Sequence, residues 1–279
     1  MSAHYALSSC STWSGCRAQS LGLSNCRFQE GDATDLRDLE DDRFDLVVSI
    51  FGAMFAPKPF AVAKEAVRVT RPGGRIVMGN WLPNDPTLVA QLLMVSSWYS
   101  PPPPEGFISP MTWGVENDVI KRFAAAGVAE EKMSFERSTY TFNFPGTPPE
   151  FLAELRHFYG PTMNAFEAAA ADGREAELQT ELEALFNSHN TSPSLDSTSI
   201  PATFLRVTVG SRSGRELARW RAVGDTGLTF LGFPRAAIFG CRSTLLFQLP
   251  PIEPCMRFSR TRLTDALHRR CSATRARQA

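Results

Sequence analysis

The sequence predicts an α/β fold built on parallel strands, and three observations point to it. Asp45 to Gly52 is a short, mainly apolar run with charge before it and glycine at its end, the pattern of a parallel strand buried on both faces. Pro59 suits a first helical turn; after it Phe60, Ala63, Ala66 and Val67 share one face, while Lys64, Glu65 and Arg68 take the other. Arg71-Pro72-Gly73-Gly74 stops that helix, and Ile76, Val77 and Met78 open a second buried strand. Together these elements make a βαβ unit.

The elements that follow read as a helical cap over about 83–126 and 147–190, interrupted by strand. Pro83 to Tyr99 carries Leu88, Leu92 and Val95 at helical spacing before the prolines at 101–104. Glu116 to Ala126 is a second helix, with Val119, Ile120 and Phe123 inward and Gly127 as its stop. Tyr140, Phe142 and Phe144 alternate as in a strand. Thr147-Pro148-Pro149-Glu150 is a capping box, launching a helix on which Phe151, Leu152, Leu155 and Phe158 share a face. Pro161 to Phe186 is helical with a break near Asp172-Gly173, and Ala202 to Val209 is a final strand.

Three motifs carry a resemblance. The run Phe28-Gln29-Glu30-Gly31-Asp32-Ala33, the strand opening at Phe44-Asp45, and the helix end Arg68-Val69-Thr70-Arg71-Pro72-Gly73-Gly74 resemble class I S-adenosylmethionine-dependent methyltransferases. The small-molecule kind with a methyltransferase type 11 domain is the nearest. Trp81, the proline run, Trp113-Gly114 and Tyr159-Gly160-Pro161-Thr162 continue the likeness in order, over roughly Leu21 to Val209.

The resemblance implies a Rossmann-like doubly wound sheet, S-adenosyl-L-methionine as cofactor, and methyl transfer to a small-molecule acceptor. In that family the acid after the third strand approaches the adenine, and the loop after the fourth strand packs beside the cofactor. This implicates Asp32 and Ala33 at the adenine, with Ser49, Ile50 and Phe51 along the cofactor. A carboxylate can accept the exocyclic amine hydrogen and apolar neighbours can sandwich the ring. Read without that context, Gly31-Asp32 is a turn with a solvated carboxylate.

Displacement at a sulfonium has a good leaving group, so alignment and exclusion of water supply most of the acceleration and no catalytic residue is assigned. Phe55, Trp81 and Trp113 are candidates for lining the substrate pocket, since aromatic walls suit a cationic donor; each also reads as a core aromatic. His157 and Tyr159 could assist a base step, although a histidine on such a helix also reads as solvated.

The chain departs from the family in one place. The glycine loop after a first strand, and the acid after a second that binds the ribose hydroxyls, have no counterpart in residues 1–43. The expected sheet is therefore incomplete, with its first strands missing. Each fully buried Val, Leu or Ile is worth roughly 1.5–3 kcal/mol against a domain stability of about 5–15 kcal/mol, so the loss approaches the whole. The strand at Phe44 is left as an apolar edge. The expectation is a truncated gene product with impaired activity, or a sheet completed by a partner chain.

The domain expectation is an unstructured segment over 1–20, a methyltransferase-like domain over 21–210, and an Arg-rich, disordered tail over 211–279. That tail holds thirteen arginines, no lysine and four acids, and its apolar islands lack sustained periodicity. A nucleic-acid-binding arm is the functional alternative for it.

The formal charge is zero, so no overall field favours nucleic acid or an anionic membrane. No apolar stretch approaches the roughly 20 residues of a spanning helix, and a cytoplasmic location is expected. The six cysteines match no paired zinc spacing and read as reduced thiols; no metal is expected. Two other functions stay open. One is a catalytically inactive remnant or interaction protein; the other is a nicotinamide-dependent dehydrogenase, which the Gly31-Asp32-Ala33 and Arg71-Pro72-Gly73-Gly74 pair fits less well.

Overall fold

The computed structural model describes residues 19–22, 26–29, 31–211, 235–240 and 243–248, the last two stretches as backbone course. In chain order the strands and α-helices are β1 (Cys26–Gln29), β2 (Phe44–Ile50), α1 (Pro59–Val69), β3 (Thr70–Trp81), α2 (Leu88–Trp98), α3 (Glu116–Ala125), β4 (Met133–Phe144), α4 (Pro148–Phe158), α5 (Gly160–Ala171), α6 (Glu175–His189), β5 (Thr198–Gly210), β6 (Arg235–Gly240) and β7 (Ser243–Gln248). One seven-stranded sheet runs in the order β1-β7-β6-β2-β3-β5-β4. The α/β class follows directly.

The strand pairing of the βαβ unit is as expected, with one local difference. β2 and β3 pair in parallel from Leu46 opposite Arg75 to Ile50 opposite Gly79. Phe44 also pairs with Thr70, so Arg71 to Gly74 bulge out between the two registers and α1 runs into β3 without a separate loop. Gly73 supplies the left-handed residue of that bulge at φ +78. A Cβ on Gly74 would sit 2.9 Å from the Arg71 carbonyl and 3.0 Å from that of Asp45, so the crossing needs glycine there too.

Two cores result. Helices α1 and α3 cover one face of the sheet, packing Val62, Ala63, Ala66, Val119 and Phe123 on Val47, Ile76, Met78, Leu205 and Val207. The cap has its own core, in which Leu88 and Leu92 of α2 meet Leu152, Phe166, Leu178 and Phe186 from α4, α5 and α6. Phe142 of β4 packs against both clusters. The punctuation read from sequence holds. Gly127 and Gly173 end their helices at φ +84 and +69, and the Thr147 amide donates to Glu150 Oε2 at 2.7 Å in a complete capping box.

Three expectations are corrected. Phe158 does not share the buried face of α4: it is 81 % exposed, because the chain turns to extended backbone at Tyr159 and leaves the last residue of the helix outside. Phe60 does not share the buried face of α1 with Ala63, Ala66 and Val67: it is 49 % exposed. The largest correction concerns β2. It is not a bare edge, since Leu46 to Ser49 pair in parallel with Ala236 to Phe239 of β6.

The place that the resemblance gives to the family's first strand is thus taken by backbone from 211–279. Short strands buried in a sheet need no sustained periodicity, and the apolar islands gave no signal for that reason. The remainder of that tail lies outside the described residues. So do residues 1–18 and the cysteines other than Cys26.

Candidate functional site

β1 is antiparallel to β7, β7 antiparallel to β6, and β6 parallel to β2, so β1 and β2 run the same way. Their carboxyl ends open on one edge of the sheet, the usual ligand edge of such folds. Three strand spacings separate them, about 14 Å. Asp32 and Ala33 follow β1 there, Ser49 and Ile50 end β2, and Phe51 follows, so the five candidate cofactor residues share an edge. Gly240 and Ser243 lie at that edge too, because Ser49 is level with Phe239.

At the β2 end the backbone is strained. Phe51 sits at φ +58, a left-handed conformation unusual for a bulky side chain. Several contacts hold it. Its amide donates to the Gly79 carbonyl at 2.9 Å. Its ring stacks on Trp81 at 3.6 Å between centroids and 3° between planes, and meets Phe204 edge-on at 5.3 Å. Strain of this kind persists only where surroundings over-determine it, and it gathers at functional sites.

Ser49 is buried, and its Oγ accepts from the Ala53 amide at 3.0 Å, which fixes the short 3-10 turn Ala53–Phe55. That leaves its hydroxyl hydrogen free to donate. Ile50 is 37 % exposed and offers an open apolar surface at the strand tip.

At the β1 end Asp32 Oδ1 accepts from the Thr34 amide at 2.8 Å, forming the local turn that the residue pair Gly31-Asp32 also suggested. Asp32 is exposed and Ala33 packs against the core. The loop that follows is tied to α1. Arg68 donates to the Leu36 and Leu39 carbonyls, both at 2.8 Å, and to Asp41 at 2.6 Å. Glu65 takes the Leu36 amide at 2.7 Å. The Arg68 guanidinium, helped by that amide, holds the Glu65 carboxyl below its ordinary range, and Glu65 in turn pushes the Arg68 value up.

The proposed pocket aromatics divide. Phe55 is half-buried and meets Tyr159 edge-on at 6.3 Å. Trp81 and Trp113 are 3 % and 1 % exposed, so as they stand they offer an acceptor almost no surface. Trp113 packs edge-on to Phe123, under the guanidinium of Arg122 at 4.5 Å. His157 Nδ1 meets the Ala153 carbonyl at 2.6 Å on the exposed side of α4, which suits a helix-capping role rather than a base.

Sequence reasoning missed Phe204 and Asn80. Asn80 is 1 % exposed, and neither its Nδ2 nor Trp81 Nε1 has a hydrogen-bond partner among the described residues. No helix among the described residues is long and apolar enough to cross a membrane.

Residues 7–78 match the family model described as a methyltransferase domain. The recognisable part of this chain is methyltransferase-like. Among curated proteins it is 34 % identical over 130 residues to the uncharacterized protein Rv1403c of Mycobacterium tuberculosis, covering 46 % of this chain and 44 % of that one. To the uncharacterized protein Rv1405c of the same organism it is 31 % identical over 175 residues, covering 60 % and 57 %. The chain spans about half the length of the curated relatives it matches. Among solved structures, the YcgJ protein from Bacillus subtilis overlaps at a TM-score of 0.42 and 16 % identity, over 73 % of this chain and 79 % of that one.

Proposed function

We propose that this chain is an S-adenosylmethionine-dependent methyltransferase of the small-molecule kind, with the donor lying along the carboxyl edge between the Asp32 turn and the Ile50-Phe51 tip. The observation that supports it most is the parallel course of β1 and β2, which brings both segments to one edge of the sheet. Asp32 Oδ1 is occupied by the Thr34 amide while the exposed carboxylate keeps further lone pairs for an adenine amine. Ala33 and Ile50 suit the faces of the base. These residues fit the adenine end of the donor.

When bound, the donor supplies an electrophilic methyl on a cationic sulfur. The chain's own part is to orient and to keep water out. The half-buried Phe51 and Phe204 rings, backed by the buried Trp81, form a wall that suits a cation and whose bulk excludes solvent. The acceptor is a small, apolar molecule that enters between this wall and the cap, where Phe55 and Tyr159 stand.

Calorimetric titration of the full chain with S-adenosylmethionine and S-adenosylhomocysteine tests this reading. Saturable binding, weakened about tenfold or more by Asp32→Ala, is expected, the loss of one hydrogen bond to a charged group. Absence of binding by either ligand at millimolar concentration contradicts it.

A second reading rests on one observation. The strand beside β2 pairs antiparallel with the next strand, Gly240 opposite Ser243, where a donor-binding loop would need to open into a helix. A non-catalytic interaction protein that keeps the fold accommodates that pairing more easily. The same titration separates the two.

A further inference from the structure

We propose that the open edge of β4 is a docking strand for a second copy of this chain, paired antiparallel about a two-fold axis at Thr141. The proposal stands apart from the methyltransferase reading, because it concerns the partner of the outermost strand and not what the carboxyl edge binds.

β4 pairs with β5 residue for residue, from Met133 opposite Val209 to Phe144 opposite Thr198, with no shift of register. Among the described residues no strand lies on its other side. The Thr203 amide donates to Thr87 Oγ1 at 2.8 Å, on the side of β5 away from β4, and Pro201, two residues earlier, has no amide to give. Thr139 and Thr141 stand opposite these two, so they hold non-hydrogen-bonded positions of the ladder and turn their own N–H and C=O groups to the open side. Asn143 continues the same alternation. Its Nδ2 donates to the Thr141 carbonyl at 3.4 Å, a long contact that the amide of a partner strand would replace.

Edge strands are commonly blunted by a charge, a proline or a bulge. From Ser138 to Phe144 this one has none of them, and its Thr, Tyr and Phe residues favour pairing. The side chains also match themselves, which favours a second copy over an extended segment of another protein. Antiparallel pairing about Thr141 sets it against the partner's Thr141, and Thr139 against the partner's Asn143, both as hydrogen-bonded positions. Tyr140 then faces the partner's Phe142 at a non-hydrogen-bonded position, where side chains approach most closely and aromatic pairs add most. Tyr140 is 53 % exposed, and its ring already meets Phe142 of its own strand edge-on at 5.0 Å, so the axis gathers both pairs of rings on one face. Glu136 and Arg137 fall outside the paired run, and Pro145 ends it.

Sedimentation velocity of the full chain, with no ligand present and across about a hundredfold range of concentration, tests the proposal. A monomer in equilibrium with a dimer is expected. A monomer at every concentration up to about 100 µM overturns the proposal. Thr141→Pro removes an amide that the ladder with β5 does not use, so the monomer is expected to keep its fold by circular dichroism while the dimer is lost. A dimer that survives this change overturns the assignment to the edge of β4.

A charge placed at the axis tests the register. Thr141→Lys and Thr141→Asp each bring like charges face to face, and each alone is expected to dimerise about tenfold more weakly than the native chain. Mixed together, the two are expected to associate about tenfold more tightly than either alone, since the charges that meet at the axis are then opposite. A mixture no tighter than its components overturns pairing about Thr141. Should Thr141→Pro fail to fold, this pair of variants decides.

Discussion

The two ends of strand β2 are built on opposite principles. At the amino end polar groups are paired: the buried Asp45 meets Arg71, the Arg43 amide donates to the Val69 carbonyl at 2.9 Å, and Arg68 ties down the loop from Leu36 to Asp41. At the carboxyl end the backbone is strained at Phe51, Ile50 is open, and the donors of Asn80 and Trp81 have no partner among the described residues. One end is tied down by ion pairs and hydrogen bonds, and the other is strained and partly open. On the proposed reading, the same strand separates stability at one end from donor binding at the other, the carboxyl edge where ligands of α/β sheets bind.

The comparison can be broken first at its aromatic wall. Trp81→Ala removes the ring on which Phe51 stacks and opens a cavity, and is expected to cost about 3–5 kcal/mol in denaturant unfolding while also weakening donor binding. At the other end, Arg68→Ala leaves the Leu36 and Leu39 carbonyls and two carboxylates without their donor. A cost of about 2 kcal/mol is expected, with donor affinity reduced only through the looser Asp32 segment. If the two variants lower stability and affinity in the same proportion, the division between the ends is wrong.

Finer tests follow. Phe51→Gly and Phe51→Ala both lose the stack, yet the glycine variant is expected to be the more stable by about 1 kcal/mol, because only alanine keeps the left-handed penalty. Equal stabilities would deny the strain. Glu65 gives the amino end a pH signature. Its carboxyl is held below the ordinary value of 4.5 by Arg68 and the Leu36 amide, so its contribution is full above that value and is lost as pH falls below it. Glu65→Gln is expected to flatten the loss of Tm between about pH 5 and pH 3, and an unchanged slope would remove Glu65 from the account.

Much of the fold was legible because its signals are local. Pro59 at a helix start, Gly127 and Gly173 at positive φ, and the Thr147 with Glu150 box each decide one backbone geometry within a few residues. The partner of β2 was not legible, since the register of Leu46 with Ala236 joins segments far apart in the chain and short apolar strands carry no period of their own. The site was half legible. Asp32 and Ile50 could be placed on one edge through motif order. The left-handed Phe51 could not, because a phenylalanine gives no local cue to φ > 0 and the conformation is imposed by Gly79, Trp81 and Phe204. Phe158 erred for the opposite reason: helix periodicity assigned a buried face to the last residue of the helix, where the chain turns away at Tyr159.

The central claim is that the carboxyl edge of the sheet receives the donor. Backbone amide shifts of the labelled chain, followed by NMR during titration with S-adenosylhomocysteine, test it most directly. The account predicts saturable perturbations at residues 32–33 and 49–51, with Asp45 and Arg71 at the other end of the strand unmoved. Perturbations centred on Asp45 and Arg71, or none at either end, would contradict it.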